Sequence, residues 1–254
     1  MLRIRIFVNS SKSAPLLPRN KTSFATDCAS CAARGRSIFC NLDAESLALF
    51  NDVKSCTFYK KGQLLFPEGG YPLGVFCVNA GKVKIARTGQ DGKEQIVRLA
   101  KEGDVLGYRA LLGGERYNAS AVALDDTTVC FVPRDIFFEA VKKSPGLSLE
   151  IIKSLANELG RAEQTITDLA QKPVRERLAE GLLFLKETYG FEPDSAIINV
   201  VLSREDLANL VGTATETVIR LLSELRSDKI VAFEGKKIQI LDMQRLIRTA
   251  NVQD

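Results

Sequence analysis

The sequence predicts an α+β protein built in the order antiparallel β-roll, one long helix, and a small helical unit closed by a β-hairpin. Three observations carry this. From Ser55 to Pro133, short β-rich runs are broken by glycines. After Pro133 the apolar spacing changes to alternating steps of three and four. From Leu202 to Ile240, two helix-start signals flank a glycine and give way to two further β-runs.

At 254 residues, 45% hydrophobic and 26% charged, the chain can bury a sizeable core without covalent staples. No apolar run nears the ~20 residues of a membrane span. Residues 1–27 are expected to form a flexible cytoplasmic tail. Their longest apolar run, Ile6-Phe7-Val8, is far below the ~7 to 15 residues of a secretory core.

Three of the six cysteines fall in one polar stretch, CASCAARGRSIFC, at Cys28, Cys31 and Cys40. Thiols set among Ala, Ser, Gly and Arg have little core to fill, so ligation or redox chemistry in a reducing compartment is the expectation. The chain has no histidine. That removes Ser-His-Asp and Cys-His catalysis, His-ligated haem and Cys/His zinc fingers. Any metal must be held by thiolates, carboxylates, backbone or an added small ligand. With no assembled nucleophile and base and no phosphate-cradling glycine loop, the chain is not expected to be an enzyme.

The formal net charge of +4 is unevenly spread. Residues 1–36 hold seven lysines and arginines against one acid, whereas residues 172–254 hold twelve against thirteen. A nucleic-acid role for the C-terminal part must therefore rest on particular residues.

Within the roll, expected over 28–142 together with the cysteine segment, Val83, Ile85 and Arg87 alternate with Lys82, Lys84 and Ala86. This is the period of a half-buried strand, and Gln90-Asp91-Gly92 signals a hairpin. Evenly spaced turns of this kind suggest a small antiparallel roll or barrel. Cys56 and Cys77 sit in apolar strand runs and read as packing.

The helix expected over 143–171 carries Ile152, Leu155, Leu159, Ala162, Ile166 and Leu169 on one seam. A stripe this narrow favours self-association over packing on the chain's own roll. Residues 172–254 follow, with a helix from Lys172 to Tyr189, Pro173 in its first turn and Gly190 at its stop. Ser203 with Asp206 and Thr213 with Glu216 read as two capping boxes around Gly212, which is helix-turn-helix geometry. The runs about Glu234-Gly235-Lys236 would add a wing.

These residues resemble the Crp/Fnr transcription regulators, Fnr-like branch, over roughly Cys28 to Leu246. The most specific match is LANLVGTATETVIRLLSELRSDKIV. The resemblance implies a cyclic-nucleotide-binding-like sensor roll, a dimerisation helix and a winged helix-turn-helix. It further implies a homodimer whose paired helices enter successive major grooves of a two-fold-symmetric double-stranded operator. RNA polymerase is a candidate further partner.

The chemistry of the recognition positions agrees. Arg220 has the fork that bonds guanine O6 and N7, and Glu216, one turn earlier, can accept from cytosine N4. Thr215 and Thr217 suit phosphate or thymine-methyl contacts. Each also has a plainer reading: Glu216 closing its capping box, Arg220 in solvent or on a phosphate. Ile219 departs from the small or polar residue of many relatives.

Cyclic-AMP binders of the family resemble one another in a Gly-Glu turn followed by an Arg-Ser pair. Here those positions read Gly107-Tyr108-Arg109 and Tyr117-Asn118-Ala119, so cAMP is not the expected ligand. Iron–sulfur members use three cysteines before the roll and one within it. By that resemblance Cys28, Cys31, Cys40 and Cys130 would hold a 4Fe-4S cluster and sense oxygen or redox state. The eight residues between Cys31 and Cys40 exceed the spacing of the best-known sensors. Zinc on the same thiolates, or a thiol switch, remains open. So does a non-catalytic small-ligand module with a degenerate helix-turn-helix.

Overall fold

The computed structural model describes residues 27–252, so the expected N-terminal tail lies outside them apart from its last residue. The cysteine segment makes a 3-10 turn at Ala32–Arg36 and leads into helix α1, Ala44–Val53. Asp43 caps α1 by accepting from the Ser46 amide at 2.8 Å.

Eight strands follow: β1 (Ser55–Tyr59), β2 (Leu64–Phe66), β3 (Gly74–Ala80), β4 (Val83–Thr88), β5 (Glu94–Ala100), β6 (Val105–Leu106), β7 (Ser120–Ala123) and β8 (Thr127–Pro133). A short helix, α2 (Tyr108–Gly113), lies between β6 and β7. The strands form two antiparallel sheets, ordered β1-β8-β3-β6 and β2-β7-β4-β5. The expected hairpin joins β4 to β5, with Gly92 at φ 75°.

Alternation sorts the side chains into layers. Phe66, Val78, Val83, Leu106, Tyr117 and Val129 fill the space between the sheets. The opposite face of the first sheet gives Val75 and Val132 to a second cluster. Phe39, Leu42 and Phe50 of the N-terminal segment join it from one side, and Phe137, Leu147 and Ile151 from the other. Phe137 lies on α3 (Arg134–Lys143), and Leu147 and Ile151 on α4 (Pro145–Gln171). Ser144 caps α4, accepting from the Leu147 amide at 3.2 Å.

On α4, Ile152, Leu159 and Ile166 are 61%, 61% and 67% exposed, and Ala162 and Leu169 are exposed as well. Leu155, half-buried, also packs against the second cluster of its own chain, because the start of α4 lies on the roll.

The C-terminal unit holds α5 (Val174–Tyr189), α6 (Arg204–Val211), α7 (Thr215–Ser227), the hairpin β9 (Val231–Glu234) and β10 (Lys237–Ile240), and α8 (Met243–Ala250). Pro173 is the residue that caps α5, one position before its first turn, and Gly190 ends it at φ 70°. The Ser203–Asp206 capping box forms in both directions. The Thr213–Glu216 box does not. The Thr213 amide instead bonds Ala208 O at 3.1 Å to close α6, so α7 starts later, behind Ala214.

The face of β4 and β5 that the alternation reads as solvent-facing is covered. Ala86, Ile96 and Leu99 share one core with α5, α6, α7 and the wing.

Candidate nucleic-acid interface and thiol face

α7 is positioned by one apolar face. Val218, Leu221, Leu222 and Leu225 are buried against α5, α6 and the wing, each stabilising by about 1.5–3 kcal/mol. Burying that face turns Glu216, Ile219, Arg220 and Ser223 to solvent and leaves Thr215 and Thr217 half-buried at the N-terminal end. Gly212, at φ 69°, makes the turn before it.

Arg220 and Glu216 lie one turn apart, but Arg220 does not bond to Glu216. Its Nη1 donates to Glu224 Oε1 at 2.6 Å, with the guanidinium side chain 65% exposed. An exposed pair of this kind is worth about 0–1 kcal/mol, so the guanidinium can leave Glu224 at little cost. Glu224 is itself held by Arg175, which also bridges to Asp228.

Two arginines that no local sequence signal marks organise this unit. Arg177 of α5 donates to four carbonyls: Val211 at 3.0 Å and Gly212 at 3.2 Å in the turn, and Leu169 at 3.3 Å and Lys172 at 2.9 Å at the end of α4. One rigid fork therefore ties the long helix to the helix-turn-helix. Arg204, first in α6, stacks over the Phe233 ring of the wing at 4.7 Å. Its Nη1 is buried without a hydrogen-bond partner, and burial pushes the guanidinium pKa below its ordinary value. Only Ser203 before it is visible as a signal in sequence.

The second site is on the outer face of the first sheet. Cys130 of β8 is paired in register with Cys56 of β1 on one side and Cys77 of β3 on the other. Directly paired residues share a face, so the three thiols form a row across three strands. Cys56 and Cys130 are joined as a disulfide. Cys56 is therefore not simple packing, whereas Cys77 packs against the second core cluster as its apolar run predicts.

Above this row lies the N-terminal segment. Cys28, Cys31, Cys77 and Cys130 line one small cavity with Ala33, Phe39 and Lys54. Lys54 Nζ donates to Cys28 Sγ at 3.1 Å and Asn79 Nδ2 to Cys31 Sγ at 3.3 Å. Burial pushes the Cys77 thiol far above its ordinary range, and the nearby Cys28 and Cys31 push it further.

Cys40 does not line the cavity. Its neighbour Phe39 is buried edge-on against Phe50 at 5.1 Å and Phe137 at 6.3 Å, which fixes this part of the chain. The four expected ligands are thus not brought together: Cys28, Cys31 and Cys130 meet at the cavity, Cys77 joins them, and Cys40 stands apart. Among the described residues no group of three or more His, Cys, Asp or Glu side chains could hold a metal ion.

The roll interior is occupied by aromatic rings. Tyr117 stacks on Phe66 at 4.0 Å between centroids, and Phe76 packs on Phe66 at 5.4 Å. Tyr108 turns its hydroxyl to Ser154 at 2.9 Å and Glu158 at 2.8 Å of α4, and Arg109 is bonded to Asn118.

Residues 56–144 match the family described as cyclic nucleotide-binding domain, and residues 176–249 the Crp-like helix-turn-helix domain. The chain is 31% identical over 196 residues to the fumarate and nitrate reduction regulatory protein of Vibrio cholerae, covering 76% of this chain and 77% of that one. It is 29% identical over 225 residues to the anaerobic regulatory protein of Pasteurella multocida, covering 88% and 82%. Among solved structures it is similar to FixK2 from Bradyrhizobium japonicum, with a TM-score of 0.71 at 27% identity, covering 80% of this chain and 100% of that one. The matched relatives are named as regulators, not as enzymes. No helix among the described residues is long and apolar enough to cross a membrane.

Proposed function

The chain belongs to the Crp/Fnr family of DNA-binding transcription regulators, and on that premise we propose that it is a cytoplasmic homodimer whose grip on a two-fold-symmetric operator is set by redox chemistry at its cysteine face. α7 from each copy enters a major groove, Arg220 and Glu216 read base edges, and Thr215 and Thr217 hold the backbone. The exposed apolar residues of α4, from Ile152 to Leu169, support pairing of two copies. RNA polymerase is the further partner of this reading.

The observation that carries the signalling part is where the thiols converge. Five of the six cysteines lie on or over one sheet face, beside the aromatic cluster of Phe39, Phe50 and Phe137 that packs on Leu147 and Ile151 at the start of α4. A change of bonding there is felt at the dimer helix through side chains in contact. Soft thiolates suit iron–sulfur ligation, and a cluster when bound would supply a tie that oxygen or nitric oxide breaks, but as they stand no three of the described Cys, His, Asp or Glu side chains form a group that could hold a metal ion. The loss of that tie shifts the dimer equilibrium by the difference in binding energy it provides. Zinc on the same sulfurs would give a fixed tie instead. A second reading, a thiol switch without metal, is favoured by the Cys56–Cys130 bond. The ring-filled roll interior and the absence of an acid at Tyr108 argue against cAMP as the signal.

The test of the DNA-reading part is Arg220→Ala on an operator selected from random sequence. Loss of about 1–3 kcal/mol confined to the cognate site is expected. Unchanged operator binding would favour a ligand-binding module with a degenerate helix-turn-helix.

A further inference from the structure

We propose that Tyr108, Ser154, Glu158 and Arg98 form a polar lock that holds α4 at one rotation on the roll, and that pairing of two copies requires this lock closed. The inference rests on the reading of α4 as the contact between copies and names the residues that orient it.

Four side chains from three elements meet here. Tyr108 is buried at the start of α2, directly behind Gly107 at φ 83°. Its hydroxyl donates to Glu158 Oε1 at 2.8 Å and lies 2.9 Å from Ser154 Oγ. A phenol carries one proton, so with that proton on Glu158 the Ser154 hydroxyl is the donor to Tyr108. Burial pushes the Tyr108 phenol up to about 12, which keeps it a donor at neutral pH. Arg98 of β5 brings its Nη1 to the same Glu158 oxygen at 2.5 Å. One carboxylate oxygen of α4 is thus shared by a phenol of α2 and a guanidinium of β5. Both members of the ion pair are half-buried, so water screens it less than the exposed Arg220–Glu224 pair.

Helix geometry turns this grip into an orientation. Ser154 and Glu158 are four residues apart and share one side of α4, the side on which Leu147 and Ile151 are buried. Glu158 immediately precedes Leu159, so the held side adjoins the exposed stripe of Ile152, Leu159 and Ile166. Among the described residues Glu158 is the last side chain of α4 hydrogen-bonded to the roll, and residues 159–167 beyond it are all exposed. The far end of the lock reaches the helix-turn-helix seat. Arg98 lies between Ile96 and Leu99, which enter the core shared with α6 and α7, and Gln95 of the same strand donates to Leu210 O of α6 at 3.3 Å. With the lock open, α4 keeps only apolar contacts with the roll, which are not directional. The stripe is then aimed for pairing only part of the time, and apparent affinity falls by that fraction. Tyr108 and Glu158 are positioning residues in this sense.

The test reads the dimer dissociation constant of the full chain by sedimentation equilibrium in dithiothreitol, with no ligand added. Tyr108→Phe removes the hydroxyl and keeps the ring, and Glu158→Gln removes the charge and keeps the shape. Each should weaken pairing about tenfold, the change that loss of a hydrogen bond to a charged group brings to an equilibrium. The double variant should lose less than the product of the two, because both act through one lock. Amide exchange on the same samples should quicken over residues 154–167 and stay unchanged around Phe66 and Tyr117 in the roll interior.

Wild-type dimers with the same constant in both single variants, or fully multiplicative losses in the double, overturn the lock while leaving α4 as the contact. Faster exchange through the roll interior as well would make Tyr108 and Glu158 supports of the core and overturns it too. A monomeric wild type overturns the pairing reading together with the lock.

Discussion

Lys84 of β4 and Asp206 of α6 meet at 2.7 Å, joining the sensor roll to the first helix of the helix-turn-helix within one chain. Their side chains are 14% and 17% exposed, and Lys84 also reaches Glu94 at 3.0 Å. Asp206 is at the same time the residue that closes the capping box with Ser203. One carboxylate thus fixes both the start of α6 and the place where α6 rests on the roll.

This pair sets a pH dependence. Burial would raise the Asp206 carboxyl, but hydrogen bonds from Lys84 and Ser203 outweigh it and hold it below 3.8. Burial would lower the Lys84 ammonium, but Asp206 and Glu94 hold it above 10.5. The contribution of Asp206 is complete above its unfolded pKa near 3.8 and is lost as pH falls through the lower folded value. That of Lys84 is complete below 10.5 and is lost as pH rises through the higher folded value. Lys84→Met should lower unfolding stability at pH 7 by about 1.5–3 kcal/mol in urea titrations. It should also shrink the loss of stability below pH 4. An unchanged midpoint would show that the two units do not rest on each other in solution.

Arg177 links four carbonyls across the junction of α4 with the helix-turn-helix turn. Arg177→Met leaves them without their donor and should cost about 1–3 kcal/mol in stability. DNA binding should weaken equally on cognate and unrelated sequences, because the exposed face of α7 that is proposed to read bases is untouched. Arg177→Lys should restore only part of this, since an ammonium cannot span the same fork. Fluorescence anisotropy on both DNAs separates this from the sequence-selective loss expected at Arg220.

The exposed face of α4 is the expected contact between two copies. Leu159→Glu places a charge at its middle, at a residue 61% exposed in the single chain. Its own fold should be unaffected, because substitutions at exposed positions usually fall within ~0.5 kcal/mol. Sedimentation should show wild-type dimers and variant monomers. Dimers of both would put the contact elsewhere.

Gly103 marks where the cysteine segment docks. It holds φ 95°, and a Cβ there would lie 2.9 Å from Arg36 Cβ and 3.0 Å from Ala33 O. Gly103→Ala should lift the 3-10 turn from the roll and speed amide exchange over residues 28–40, with the helix-turn-helix unaffected. Slow exchange retained in the variant would place the docking elsewhere.

What could be read from the chain follows from how local each signal is. Ser203 and Asp206 are three residues apart, and Gly190, Gly212 and Gly235 each mark a turn by a conformation that other residues resist, so the C-terminal unit was legible. The thiol row was not. Cys56 and Cys130 are separated by 74 residues and meet only through strand register. GVFCVNA is apolar on both faces, because one lines the roll and the other meets the N-terminal segment, so no alternation showed where Cys77 points. In the same way Lys84 and Ala86 read as solvent-facing until α6 is seen to cover them. The second capping box failed because the Thr213 amide is claimed by the end of α6, a competition that residue types alone do not settle.

The most direct test of the account is operator binding by one protein in two redox states. Wild-type chain, reduced, reconstituted with iron and sulfide and kept free of oxygen, is titrated onto a selected two-fold-symmetric operator at fixed salt, then exposed to air and titrated again. Tight, sequence-selective binding that is lost in air is the predicted result. Equal affinity before and after, or no preference for the operator over unrelated DNA in either state, would contradict it.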